Sequence, residues 1–109
     1  MTRIIAVAGK GGVGKTTVSS LIVQILARSG QGTVLAVDAD PNSNLGDKLG
    51  IRPVGSIGEV RNRMVKDPGS VPANMSKHEY MALQMQATLA EDDRGIDLMV
   101  MGRPQGEGC

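Results

Sequence analysis

The sequence contains no phenylalanine and no tryptophan, and Tyr80 is its only aromatic residue. A single-strand nucleic-acid platform stacks successive bases on several rings, so that class is excluded. One cysteine, Cys109, excludes an intramolecular disulfide framework and fits a reducing, cytoplasmic setting. Neither charge sign is in surplus: 12 lysines and arginines face 11 aspartates and glutamates, for a formal charge of +1. Nothing there would draw nucleic acid non-specifically, and no nucleic-acid partner is expected. No run approaches the ~20 apolar residues that cross a bilayer, so no transmembrane segment is expected. The start is a short apolar run leading into glycines rather than a signal peptide. Repeats and low-complexity stretches are also lacking.

What is present reads as alternating strands and helices. Residues 3–8 (RIIAVA) form a continuous apolar run that suits a strand buried on both faces. Residues 16–29 carry Val18, Leu21, Ile22, Ile25 and Leu26 at the spacing of one helix face, with Gly30 or Gly32 to end it. A second buried strand is predicted over 33–38 (TVLAVD), and a polar loop over 39–50. The segment 56–66 suits a short helix, broken by Asp67, Pro68 and Gly69. Ser76 and Glu79 have capping-box spacing ahead of a helix over 77–91. After a turn at 92–95, residues 96–101 (IDLMVM) are the third strand candidate. Seven methionines stand in for absent rings, and Met81, Met85, Met99 and Met101 are expected in the core. His78 is read as solvated, and Glu91-Asp92-Asp93-Arg94 as a charged turn in water.

The strongest motif is Gly9-Lys10-Gly11-Gly12-Val13-Gly14-Lys15-Thr16, a match to G-x-x-x-x-G-K-[ST] between a strand run and an amphipathic helix. Its glycines let successive backbone N–H groups turn inward as an anion nest. The following helix adds about half a positive charge at its start. Lys15 is expected on the β- and γ-phosphates of ATP, and the Thr16 hydroxyl on Mg²⁺. Asp38 ends the second strand, where ligands bind in open α/β sheets, and Asp40-Pro41 follows. A carboxylate there can orient the attacking water. The same two aspartates could instead cap a turn before proline.

The run from Lys10 to Thr17, with a second lysine ahead of the paired glycines, resembles the deviant Walker A ATPases. That class holds septum-site-determining and plasmid-partitioning ATPases and the nitrogenase iron protein. The resemblance implies a three-layer α/β/α sandwich with a mainly parallel sheet, ATP and Mg²⁺ as ligands, and ATP hydrolysis. It implies an ATP-dependent homodimer in which Lys10 crosses to the partner's phosphates, a finger in trans. Gly9 to Thr17, the two lysines included, would hold the nucleotide. Asp40 would activate water and Asp38 would stand near the metal through water. Asn44 is a further switch candidate.

The third strand ends in Met101-Gly102 without a carboxylate; Asp97 lies at its start, about 17 Å away at ~3.4 Å per residue. Gly102 leaves backbone free to approach a γ-phosphate. The run Val100-Met101-Gly102-Arg103-Pro104-Gln105-Gly106-Glu107-Gly108-Cys109, with Asp38 to Leu45, resembles the CooC-type nickel-insertion ATPases of carbon monoxide dehydrogenase and acetyl-CoA synthase. The likeness runs along the chain but covers only the front part of that family's length. It implies Ni²⁺, or Zn²⁺, held by Cys-x-Cys pairs of two subunits, with Cys109 as the first cysteine, and those enzymes as clients. Two departures stand out: Gln105 replaces the usual glutamate, and no second cysteine follows Cys109. The three-strand count predicts that residues 1–109 are the N-terminal part of a single P-loop ATPase domain, with base recognition beyond Cys109. A membrane- or DNA-positioning ATPase and an inactive nucleotide-binding fragment are the alternatives.

Overall fold

Burial is densest around a three-stranded sheet. The computed structural model describes residues 4–8, 14–30, 32–40 and 44–102. Strands β1 (Val34–Asp38), β2 (Ala90–Asp92) and β3 (Ile96–Val100) lie in the order β1-β3-β2. β1 runs parallel to β3, with Val34 opposite Ile96, Ala36 opposite Leu98 and Asp38 opposite Val100. β2 is antiparallel, with Ala90 opposite Leu98. Side chains alternate along a strand, so Ala36, Asp38, Ala90, Ile96, Leu98 and Val100 share one buried face. On the other face Leu35 remains 54% exposed and Val37 about half exposed.

The buried face is covered by helix α1 (Lys15–Arg28) and the short helix α2 (Leu45–Leu49), which pack on each other. Val23, Leu45, Leu49 and Ile51 complete the core, and Ala27 and Val34 pack against it. Each fully buried aliphatic such as Ile96 or Leu98 stabilises the fold by about 1.5–3 kcal/mol. α1 also packs on β1. Helix α3 (Ile57–Lys66), a 3₁₀ turn (Pro68–Ser70) and helix α4 (Lys77–Ala87) form a second helical unit, with Val60 buried and α3 packed on α4.

Several expectations are corrected. Residues 4–8 form no strand, and Ile4 is 89% exposed. On α1 the residues turned inward are Ser20 and Val23, with Ala27 half-buried, while Val18, Leu21 and Ile25 face outward. Smaller residues line the inward side, which lets the helix approach α2 and the sheet closely. The loop expected over 39–50 contains α2. The helix expected over 77–91 stops at Ala87, because Ala90 turns into the core as a β2 residue. The sheet is therefore mixed. None of Met81, Met85, Met99 and Met101 is fully buried: aliphatic residues fill the core, and Met101 is exposed. His78 is exposed, as expected.

Candidate functional site

The start of α1 differs from the starts of α3 and α4. Ser56 caps α3, its Oγ accepting the Glu59 N–H at 3.2 Å. Ser76 caps α4, its Oγ accepting the Glu79 N–H at 3.1 Å and donating to Glu79 Oε1 at 3.1 Å. Both helices also carry an acid in the first turn. α1 has neither a side-chain cap nor a first-turn acid. The first N–H groups of a helix have no partner within the helix, and they sit at its positive end. A helix start with glycine at its N-cap and no acid in its own first turn suits an external anion.

Gly14 sets the entry to that helix. Its φ of 77° and ψ of 17° lie in the left-handed region, which glycine adopts at no steric cost. Lys15 is the first helical residue and is half-buried, as is Thr16, while Thr17 is exposed. Lys15 and Thr16 thus share the first turn of α1. Gly9, Lys10, Gly11, Gly12 and Val13 lie outside the described residues.

Asp38 ends β1 on the buried face, with 5% exposure. Its Oδ1 accepts the Asp40 N–H at 3.1 Å and its Oδ2 accepts the Leu45 N–H at 3.1 Å. Its main-chain carbonyl accepts the Met101 N–H at 2.9 Å. Hydrogen bonds to an ionised group contribute about 1.5–3 kcal/mol each, and without them a buried carboxylate would be costly. Asp40 is half-buried just beyond the strand.

A second junction lies beside this one. The Met101 carbonyl accepts the Gly58 N–H at 3.0 Å, so α3 docks its first turn on the end of β3. Gly102, at φ +75°, presses on Ser56: a Cβ there would stand 2.7 Å from Ser56 Oγ. Met101 thereby connects Asp38 to α3. Sequence reasoning missed this link and the contribution of α2. The glycine at 50 after Leu45 and Leu49, four residues apart, was the available signal for α2.

Gly14, Lys15 and Thr16 stand at the start of α1, and Asp38 and Asp40 at the end of β1. Among the described residues no group of three His, Cys, Asp or Glu side chains could hold a metal ion. Mg²⁺ needs no such cage: a hydroxyl, one or two carboxylates reached through water, and phosphate oxygens satisfy it. Thr16, Asp38 and Asp40 supply that donor chemistry. Residues 41–43 and 103–109, Cys109 included, lie outside the described residues. No described helix is long and apolar enough to cross a membrane.

A family model described as the CobQ/CobB/MinD/ParA nucleotide binding domain matches residues 4–102. An uncharacterized ATP-binding protein of Methanocaldococcus jannaschii is 42% identical over 108 residues, 97% of this chain and 42% of that protein. A virulence plasmid ParA family protein of Chlamydia psittaci is 36% identical over 90 residues, 81% of this chain and 34% of that protein. The carbon monoxide dehydrogenase accessory protein CooC of Rhodospirillum rubrum is 47% identical over 47 residues, 43% of this chain and 18% of that protein. The chain spans less than half the length of these relatives. Its architecture is α/β with a mixed sheet, consistent with the three-layer sandwich of that family, and in the described residues α1 and α2 cover one face of the sheet.

Proposed function

The chain belongs to the CobQ/CobB/MinD/ParA nucleotide-binding domain family, and from that premise we propose that it binds ATP with Mg²⁺ and hydrolyses it to ADP and phosphate. The observation that carries this reading is the left-handed Gly14 at the N-cap of α1, followed by a first turn that contains Lys15 and Thr16 and no acid. Backbone N–H groups of the Gly9–Thr17 loop cradle the phosphates, and Lys15 neutralises the β- and γ-phosphates. Thr16 holds Mg²⁺, which when bound neutralises charge building on the phosphate oxygens. Asp40 orients a water and accepts its proton as the oxygen attacks the γ-phosphorus; the bond to the bridging oxygen breaks and ADP leaves. Lys10, supplied by a second copy of the chain, stabilises the same charge, which ties turnover to dimerisation.

Phosphate release by the purified protein tests the reading. Lys15→Ala should lower turnover by about a hundredfold or more. Lys10→Ala should lose hydrolysis and keep part of the ATP binding. Hydrolysis unchanged in Lys15→Ala would overturn the proposal.

The finer reading is a maturation factor that loads nickel into carbon monoxide dehydrogenase or acetyl-CoA synthase through nucleotide-controlled dimerisation. The run from Val100 to Cys109 and the similarity to CooC support it. Equilibrium dialysis against Ni²⁺ should give an affinity that differs with and without ATP and drops in Cys109→Ser; equal affinities in all three would end it. A second reading, a positioning ATPase, is favoured by the broader match to the plasmid ParA family protein. ATP-dependent cosedimentation with DNA or with anionic vesicles would support that one instead.

A further inference from the structure

We propose that Asp38 is a positioning residue: its carboxylate holds the backbone amides of Asp40 and Leu45 and thereby helps to set Asp40. The residue is anchored first. Its backbone pairs with β3, its carbonyl takes the Met101 N–H at 2.9 Å, and its side chain is buried. From that fixed point one carboxylate gathers two amides five residues apart, Asp40 at 3.1 Å and Leu45 at 3.1 Å. Leu45 is the first residue of α2, and Asn44, which precedes it, offers no side-chain cap. Asp38 thus does from seven residues upstream what a local cap does elsewhere. α2 is itself seated, through buried Leu45 and Leu49 and its packing on α1. The backbone of Asp40 and the start of α2 are therefore tied to one carboxylate before any nucleotide arrives. Asp40 needs a fixed position more than a particular acidity, because misplacement of a catalytic group by about 1 Å can cost a hundredfold in rate.

The catalytic half of this inference rests on the ATPase reading above; the latch itself does not. Amide hydrogen exchange in the nucleotide-free protein tests the latch alone. The Leu45 N–H of the unsubstituted chain should be protected about a hundredfold or more over an open chain, although it heads a helix. Exchange at the open-chain rate would overturn the proposal, and this measurement needs no variant. Asp38→Asn keeps one acceptor oxygen and turns an N–H₂ toward the other amide. It should speed exchange at Asp40 or Leu45 about tenfold, while amides of β3 stay protected. With ATP, the same variant should lower kcat with less than about a twofold change in the KM for ATP. A residue whose only task is to serve the metal would raise the Mg²⁺ requirement and leave both amides unchanged; that pattern would also overturn the proposal. Protein that never hydrolyses ATP, yet shows the protected Leu45 amide and its loss in Asp38→Asn, would remove the ATPase reading and keep the latch.

Discussion

A Cβ placed on Gly46 would stand 2.7 Å from the carbonyl oxygen of Ile51. It would also meet Leu98 Cδ2 at 3.2 Å. The closeness follows from how α2 ends: the Ile51 N–H returns to the Gly46 carbonyl at 2.9 Å, and Gly50 makes the left-handed turn between them at φ +72°. Gly46→Ala should therefore destabilise the protein by about 1–3 kcal/mol in chemical denaturation, through overpacking against backbone that has little room to yield. Gly50→Ala meets nothing within 4 Å and should cost about 1–2 kcal/mol from backbone strain alone.

The junction at Gly102 should behave as a coupled pair with Ser56. Gly102→Ala combines an unfavourable φ with a Cβ 2.7 Å from Ser56 Oγ. Combining it with Ser56→Gly should recover the steric part and leave the strain. The double-mutant cycle should give an interaction of about 0.5–3 kcal/mol. Strict additivity would show that the two residues do not meet.

Helix capping gives a smaller, separable effect. Ser76→Ala removes the acceptor for the Glu79 N–H and should lower stability by about 1 kcal/mol. Its site is remote from Asp38 and Lys15, so ATP affinity should be unchanged in a binding titration.

Asp92 carries the acid response of the hairpin. The Arg94 side-chain hydrogen bond, foremost, holds the Asp92 carboxyl below its ordinary 3.8, with the guanidinium charge acting in the same direction. A carboxyl lowered in the folded state favours folding fully above its unfolded value, and that contribution fades as pH falls through the folded value, here below 3.8. An NMR titration of Arg94→Ala should find the Asp92 carboxyl moved up toward 3.8. No upward movement would show that the arginine does not set it.

Much of the architecture could be read from residue order. Ser76, three residues ahead of Glu79, marks the start of α4, and the helix expected over 56–66 is α3. The alternating burial of Ile96, Leu98 and Val100 follows from a strand seated in the sheet. The errors share a physical origin. Periodicity gives an apolar stripe but not which stripe faces in, so α1 buries Ser20 and Val23 where Leu21 and Ile25 were expected. A run such as residues 4–8 has strand composition, yet a strand is a pairing, and composition does not say which backbone a run pairs with. Gly14, at the entry to α1, was legible because its left-handed backbone favours glycine. The dual grip of Asp38 was not, because it joins amides whose proximity only the folded loop creates.

α2 is held from two sides. Asp38 takes its first N–H, and Arg94, in the turn between β2 and β3, donates Nη2 to the Leu49 carbonyl at 2.6 Å near its last. Five residues are far too few to sustain a helix in water. This turn of helix therefore has no melting of its own: it can unravel only by letting go of two strands at once, and whatever displaces one strand is felt at both of its ends.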